Sequence, residues 1–192
     1  MNQIHDTTTT PSTLNGFVPE QMGATIQAIG EQPVLAKFQF RAKNEWISAG
    51  HNRTTITDFD GVCQRHEHPE PHVLECDEPA ALHGGDAGAN PAAVALHGLA
   101  GCLCSALVIH ATARGIEILS VETTLSGDID LHGLLGMDPA IRNGFAGIEV
   151  GMKVEANASE AQIDELIEIA KQRSPLFDLF SNPTAVEVRR TF

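Results

Sequence analysis

Hydrophobic residues are most concentrated in residues 90–114, where the pattern leaves a predicted helix apolar on nearly every side. Asn90 can cap the first turn, Pro91 suits the first helical position, and Gly115 follows a basic last residue, Arg114. The polar side chains between these ends are few: His97, Ser105, His110 and Thr112. The pattern therefore predicts one long buried helix, with the rest of the chain forming a shell around it.

The same stretch is longer than the roughly 20 residues that cross a bilayer, so its length alone also fits a membrane span. It contains two histidines and many small residues, and the chain as a whole has a mean hydropathy of -0.06 without a second such segment. These features favour a buried helix of a soluble protein over a membrane helix.

In the amino-terminal part of the chain, the spacing of apolar residues changes twice. Residues 1–16 contain four consecutive threonines and no periodic apolar pattern, which predicts a disordered tail. A short helix is predicted from Pro19 until Pro33 ends it, because apolar residues recur there at helical spacing. Residues 34–46 then alternate between apolar and polar, which is typical of a half-buried strand, and a turn at residues 50–52 leads to a returning strand at residues 53–59.

Residues 63–72 contain three histidines, His66, His68 and His72, and so raise the question of a metal site. Their spacing matches no standard zinc pattern, and the segment also contains two prolines. We therefore interpret the segment as an irregular exposed loop, with a short strand at residues 72–75 and a glycine-rich connector at residues 77–89. No metal or cofactor is predicted, and no phosphate loop or dinucleotide motif is found.

Beyond the central helix, strands are predicted at residues 116–126 and 145–156, with a long connection between them. Ser159 and Gln162 form a capping box for a second amphipathic helix that runs to Arg173, and residues 184–190 are predicted to form a last strand. This order of elements predicts an α+β fold with antiparallel pairing in a single domain, residues 17–192.

The net charge of -13, from 12 basic and 25 acidic residues, argues against binding to nucleic acid or to anionic membranes. Four cysteines do not form the framework of a secreted disulfide-rich protein, and no signal segment opens the chain. A reducing cytoplasm is the expected location.

Three stretches of the sequence resemble the OsmC/Ohr family: DEPAALHGGDAGANPAAVALHGLAGCL, the following ARGIEI, and RSPLFDLFSNPTAVEV. The resemblance covers residues 34–190, and the Asn-Pro helix with Ala-Gly-Cys is its most specific part. It implies an intertwined homodimer in which curved antiparallel sheets surround two central helices. It also implies thiol-dependent reduction of organic hydroperoxides, in defence against oxidative stress.

The resemblance places the family's functional residues on single positions of this chain. Cys102 falls at the position of the peroxide-attacking cysteine, and Arg53 is the candidate for the activating arginine of the amino-terminal hairpin, ahead of Arg41. Two positions depart from the pattern. Ser174 stands where active members have a resolving cysteine before the proline, and Ala92 stands where a glutamate usually follows the Asn-Pro pair.

Peroxides are attacked by a thiolate, which needs a nearby cation or helix amino terminus to form readily. Cys102 lies about three turns into its helix, too far for the helix dipole, so an arginine is the expected activator. Cys104 points about 200° away and is interpreted as structural.

Two functions follow. In the first, Cys102 reduces a small organic hydroperoxide and an external thiol restores it; in the second, Cys102 only packs, and the homodimer is a non-catalytic ligand-binding or interaction module.

Overall fold

The computed structural model describes residues 11–191, which form an α+β protein with five helices and two antiparallel sheets. The helices are α1 (Pro19–Glu31), α2 (Pro91–Ala113), α3 (Leu131–Leu134), α4 (Glu160–Arg173) and α5 (Pro175–Ser181). The strands are β1 (Gln39–Phe40), β2 (Lys43–Ser48), β3 (His51–Gly61), β4 (Gln64–Cys76), β5 (Ile118–Gly127) and β6 (Ile148–Ala156). The predicted fold class is confirmed, and the order of elements differs from the prediction mainly at residues 63–72 and 184–190.

The predicted central helix is confirmed as α2. The side-chain oxygen of Asn90 accepts a hydrogen bond from the amide of Ala92 at 2.8 Å, and Gly115, with φ +71°, follows the helix end. One side of α2 is buried, and the buried residues recur at helical spacing: Leu99, Leu103, Leu107 and Ala111. The helix is therefore covered on one side only, whereas the sequence predicts cover all round.

The opposite side of α2 is uncovered in the single chain and carries mostly small residues. Gly101, Ser105 and Ile109 are all exposed, with Ile109 at 40%. By length and hydropathy α2 would be able to cross a membrane, and 22% of its most apolar window is buried. The buried side packs on α4 and β5, as the core helix of a folded domain does.

The hydrophobic core lies between α2, α4 and the β5–β6 pair. Five buried side chains form its centre: Leu107, Ala111, Ile116, Leu166 and Ala170. α4 begins with the predicted capping box, in which the Ser159 and Gln162 side chains each accept a hydrogen bond from the other residue's amide. This local signal fixes the start of α4, so that its apolar side faces α2.

The predicted tail, residues 1–16, lies outside the described residues up to residue 10. Its far end is held against the fold by Asn15. The Asn15 amide donates to Thr112 Oγ1 at 3.0 Å and to the Ile116 carbonyl at 2.9 Å, and its oxygen accepts from the Ile118 amide at 2.8 Å. These bonds cap the junction between α2 and β5, so Asn15 is part of the folded domain.

The prediction of an irregular loop at residues 63–72 is wrong, because this segment forms most of strand β4. β4 pairs antiparallel with β3 along nearly its whole length, and the His66 ring stacks on Phe59 with centroids 4.9 Å apart. Both prolines of the segment lie where the pairing register shifts, on the outer strand of the sheet, and such positions tolerate the missing amide donor.

The β1–β4 sheet has one aromatic face and one charged face. Rings contact one another along the first face: Phe38, Phe40, Phe59, His66, His68 and His72. Because neighbouring residues of a strand point to opposite sides, Arg41, Asp58, Asp60 and Arg65 lie on the second face, where they form ion pairs. An aromatic face of this kind is one that a sheet normally packs against other apolar groups.

No other element of the described chain covers the aromatic face. Phe40 is 77% exposed and Trp46 72% exposed, and within residues 11–191 the β1–β4 sheet makes no extended contact with α2, α4 or β5–β6. Apolar patches of this kind are uncommon on monomeric proteins and mark interaction surfaces.

The predicted strand at residues 184–190 is wrong for the single chain. Apolar and polar residues alternate in this segment as they do in a strand. It pairs with no strand in the described part of the molecule, and Val188 is 91% exposed. A strand needs a neighbour to receive its backbone hydrogen bonds, and alternation of side chains alone does not supply one.

Candidate functional site

Cys102 lies on α2 as a half-buried free thiol, next to the buried Leu103. Leu103 lines a small cavity of about 150 Å³ together with Met152, Ile167 and Phe177. Among residues 11–191, no side chain forms a hydrogen bond or an ion pair with the Cys102 sulfur. The same cavity is also lined by Val150 and Lys171, and Cys102 itself is not among its lining residues.

Ser174 lies at the turn between α4 and α5 and is 2% exposed. Its hydroxyl oxygen accepts a hydrogen bond from the Phe177 amide at 3.1 Å and thereby caps α5. Two residues on, Leu176 approaches α2 at Gly98, where an added Cβ would lie 3.7 Å from the leucine methyl. Gly98 is one turn before Cys102, so the start of α5 packs against the face of α2 that carries both residues.

Arg53 lies on β3, in the sheet that α2 does not cover. Its Nε donates to Glu75 Oε1 at 2.6 Å, and His51 Nε2 lies 2.9 Å from the other oxygen of the same carboxylate. The Arg53 guanidinium, followed by His51, lowers the pKa of Glu75 below its usual range. Arg53 is half exposed and paired, and within residues 11–191 no hydrogen bond or ion pair joins it to Cys102.

Arg41, the other arginine candidate, is occupied by carboxylates on the charged face. Its guanidinium binds Asp58 at 2.6 Å, also pairs with Asp60, and donates to the Gln39 side chain at 2.8 Å. This arrangement makes Arg41 part of a surface ion-pair network.

The connector before α2 is organised by a buried carboxylate that sequence patterns did not reveal. Asp77 accepts hydrogen bonds from the amides of Glu78, Gly85 and Ala87, at 2.8, 3.0 and 3.1 Å. The Ala87 amide, more than the other two, lowers the pKa of Asp77, while burial acts in the opposite direction. Asp77 thus fixes the conformation of the glycine-rich loop that precedes α2.

A second carboxylate of this connector reaches the start of the helix. Glu78 Oε2 accepts a hydrogen bond from Asn90 Nδ2 at 2.6 Å, while the oxygen of Asn90 caps α2. A carboxylate therefore stands at the amino terminus of α2 even though Ala92 replaces the glutamate that the family resemblance leads one to expect.

We expect Asp77→Asn to lower the thermal unfolding midpoint by several degrees at neutral pH, because a carboxamide cannot accept all three backbone hydrogen bonds. A carboxylate with a lowered folded-state pKa stabilises the fold above its usual pKa, and this contribution is lost as the pH falls through the lowered pKa. The gap between wild type and variant should therefore close in acid, as measured by calorimetry across pH. Asp86→Asn, in the same loop and exposed, is the control and should change little; an equal effect of both variants would contradict the role of Asp77.

The described residues include no group of three or more His, Cys, Asp or Glu side chains arranged to hold a metal ion. The histidines of β4 instead contact one another and Phe59 as rings, with His68 and His72 4.5 Å apart between centroids. These histidines belong to the aromatic face of the sheet.

Comparison with known proteins places these features in one family. A family model described as OsmC-like protein matches residues 83–189, more than half of the chain, including Cys102 and Ser174. Comparison with curated proteins finds no match.

Two solved structures show the same fold. The OsmC-like protein from Mycoplasma pneumoniae has a TM-score of 0.54 and 17% identity, over 74% of this chain and 87% of the other. An OsmC-like protein of unknown function from Vibrio cholerae has a TM-score of 0.54 and 9% identity, over 73% of this chain and 92% of the other. At these identities the likeness shows the fold alone, while the match of residues 83–189 shows the family: the chain belongs to the OsmC-like proteins.

Proposed function

We propose that this protein is a thiol-dependent organic hydroperoxide reductase that works with a single cysteine, Cys102. Membership of the OsmC-like family supports a role in defence against peroxides. The observation that carries the proposal is the position of Cys102: a free, half-buried thiol on the central helix, one turn after Gly98, which Leu176 of α5 approaches.

In the proposed reaction the Cys102 thiolate attacks one oxygen of the hydroperoxide, the O–O bond breaks, and the alcohol leaves after taking a proton. The sulfur is oxidised by two electrons to a sulfenic acid, and the peroxide is reduced by the same two. A first external thiol then forms a mixed disulfide and releases water, and a second thiol restores Cys102. Ser174 has no sulfur, so this chain has no internal resolving partner at that position.

Arg53 is proposed to hold the thiolate and the peroxide, and a second copy of the chain would have to supply it. Support for this comes from the uncovered aromatic face of the β1–β4 sheet and the uncovered side of α2, which would both be buried in a homodimer. Glu75 and His51 hold the Arg53 guanidinium in one orientation, as positioning residues do. In this proposal the dimer is needed for both stability and activity, and the protein acts in the reducing cytoplasm.

A second candidate function is a non-catalytic binding module with the same dimeric fold. It is favoured by the absence, in residues 11–191, of any hydrogen bond or ion pair to the Cys102 sulfur and by the pairing of Arg53 with Glu75. The replacements at Ala92 and Ser174 favour it as well.

Consumption of cumene hydroperoxide in the presence of dithiothreitol separates the two functions. The reductase should turn over many equivalents of peroxide per protein chain, faster than the dithiol alone. A binding module should give no consumption above the background of the dithiol, and that result would overturn the proposal.

We expect Ser174→Cys to create an internal disulfide with Cys102 on treatment with an organic hydroperoxide, whereas wild type forms none at this turn. The reason is that the Ser174 turn packs against α2, and a disulfide forms where Cα atoms lie within about 7 Å. Mass spectrometry of the oxidised protein without reductant would detect the crosslink. Ser181→Cys, about 10 Å further along α5, is the matched control and should stay uncrosslinked. A free Cys102 thiol in the oxidised Ser174→Cys protein would contradict the proposed geometry.

A further inference from the structure

A second cavity, which Cys102 does not line and which shares Val150 and Phe177 with the cavity at Leu103, lies between α2, β6, α5 and the loop at residues 142–147. Its volume is about 360 Å³, within the range of small-molecule sites. Most of its wall is apolar, formed by the side chains of Leu99, Phe145, Ile148, Val150, Phe177 and Phe180. A cavity of this size and composition can bury the hydrocarbon part of a small ligand.

Arg142 is the one charged residue among those that line the cavity, and no acidic residue lines it. In the chain from residue 11 to residue 191, the Arg142 guanidinium forms no ion pair or hydrogen bond with another side chain. An unpaired arginine is unusual in a protein with a net charge of -13, where carboxylates are abundant. Glu149 lies between the lining residues Ile148 and Val150 on β6, so its side chain points to the other face of the strand.

The wall that carries Arg142 is held at two places. A Cβ on the buried Gly133 would lie 2.6 Å from the Arg142 carbonyl oxygen, so only glycine lets α3 pack against this backbone. Further along, the Phe145 ring packs on Gly127, where an added Cβ would lie 2.7 Å from a ring carbon, and the Ala146 amide donates to the Asp128 carbonyl at 2.9 Å. These contacts form the cavity before any ligand arrives, which favours binding.

We propose that this cavity binds a medium-chain monocarboxylate, with the carboxylate on the Arg142 guanidinium and the hydrocarbon chain against the phenylalanines. A guanidinium matches a carboxylate with two parallel hydrogen bonds, and one cation at the mouth of an apolar cavity fits a ligand with one anionic end and an apolar remainder. The Ser181 hydroxyl, which also lines the cavity, can donate a further hydrogen bond. Ligand binding at this site requires no reaction of Cys102. The binding experiment can therefore fail while the peroxidase proposal holds, and the reverse.

Isothermal titration calorimetry of the full chain with octanoate tests the site. Octanoate should bind wild type, and Arg142→Gln should weaken its binding about tenfold or more, because a charge-assisted bidentate contact is lost. Arg142 is exposed, so this variant should fold normally. Lys153→Gln is the control: it removes the same charge from an exposed position of β6 outside the cavity and should leave the affinity unchanged.

Two further ligands separate the roles of the charge and the apolar wall. Octylamine, with the same tail and the opposite charge, should not bind, and butyrate should bind about tenfold more weakly or worse because it buries fewer methylenes. Failure of octanoate to bind wild type would overturn the proposal, as would unchanged affinity in Arg142→Gln. If a second copy of the chain fills the cavity instead, octanoate will not bind and Arg142→Gln will alter sedimentation, which also overturns it.

Discussion

Replacement of Ser105 by arginine should prevent two copies of the chain from associating, and the resulting monomer should unfold or aggregate. Ser105 lies with Gly101 and Ile109 on the side of α2 that the single chain leaves uncovered. We propose that this side, together with the aromatic face of the β1–β4 sheet, is covered in a homodimer. A charge buried there without a partner would cost roughly 3 kcal/mol or more, equivalent to about a hundredfold weaker association.

Analytical ultracentrifugation at micromolar concentration would measure the effect. Wild type should sediment as a dimer, and Ser105→Arg should lose the dimer and expose apolar surface to a hydrophobic dye. Gln172→Arg adds the same charge at an exposed position in the last turn of α4 and should remain dimeric. A wild-type protein that sediments as a stable monomer would contradict the dimer and, with it, the supply of Arg53 from a second copy.

Replacement of Cys102 by serine should reduce peroxide consumption at least about a hundredfold, because the proposed nucleophile is removed. The change is small in volume and the site is half buried, so the fold should be kept. The rate of loss of cumene hydroperoxide with excess dithiothreitol is the quantity to compare.

Cys104 supplies the matched control, since it is also a half-buried free thiol on α2 but points about 200° away around the helix. Cys104→Ser should retain at least about half of the wild-type rate, within the small effects expected for a residue outside the reaction. Equal losses in the two serine variants would mean that the reactive thiol has been assigned to the wrong face of α2.

Helices α1, α2 and α4 could be predicted from the sequence because their signals are local. Asn90 and Pro91 mark the start of α2, and the Ser159–Gln162 box marks the start of α4, each within four residues. Strand β4 could not be predicted in the same way, since its prolines argue against a strand and it is held by its pairing with β3, whose register shifts at the prolines. The segment at residues 184–190 shows the reverse case, in which an alternating pattern finds no neighbouring strand in its own chain.

The candidate site was partly predictable for a related reason. Cys102 and Ser174 stand in motifs that the sequence displays directly, and the match of residues 83–189 includes both. The partner of Arg53 is Glu75, which lies directly across from it on β4, and a register between strands cannot be read from the sequence of either. The role of Asp77 was hidden as well, because its three partners are backbone amides, and these are present at almost every position.

Trapping of a sulfenic acid on the wild-type protein is the direct test of Cys102 as the peroxide-reactive thiol. The protein is treated with about one equivalent of cumene hydroperoxide in the presence of a sulfenic-acid-specific nucleophile, and the labelled peptides are mapped by mass spectrometry. We expect peroxide-dependent labelling of Cys102, with Cys104, Cys63 and Cys76 left unlabelled at the same dose. Absence of label on Cys102, or preferential labelling of Cys104, would contradict this assignment.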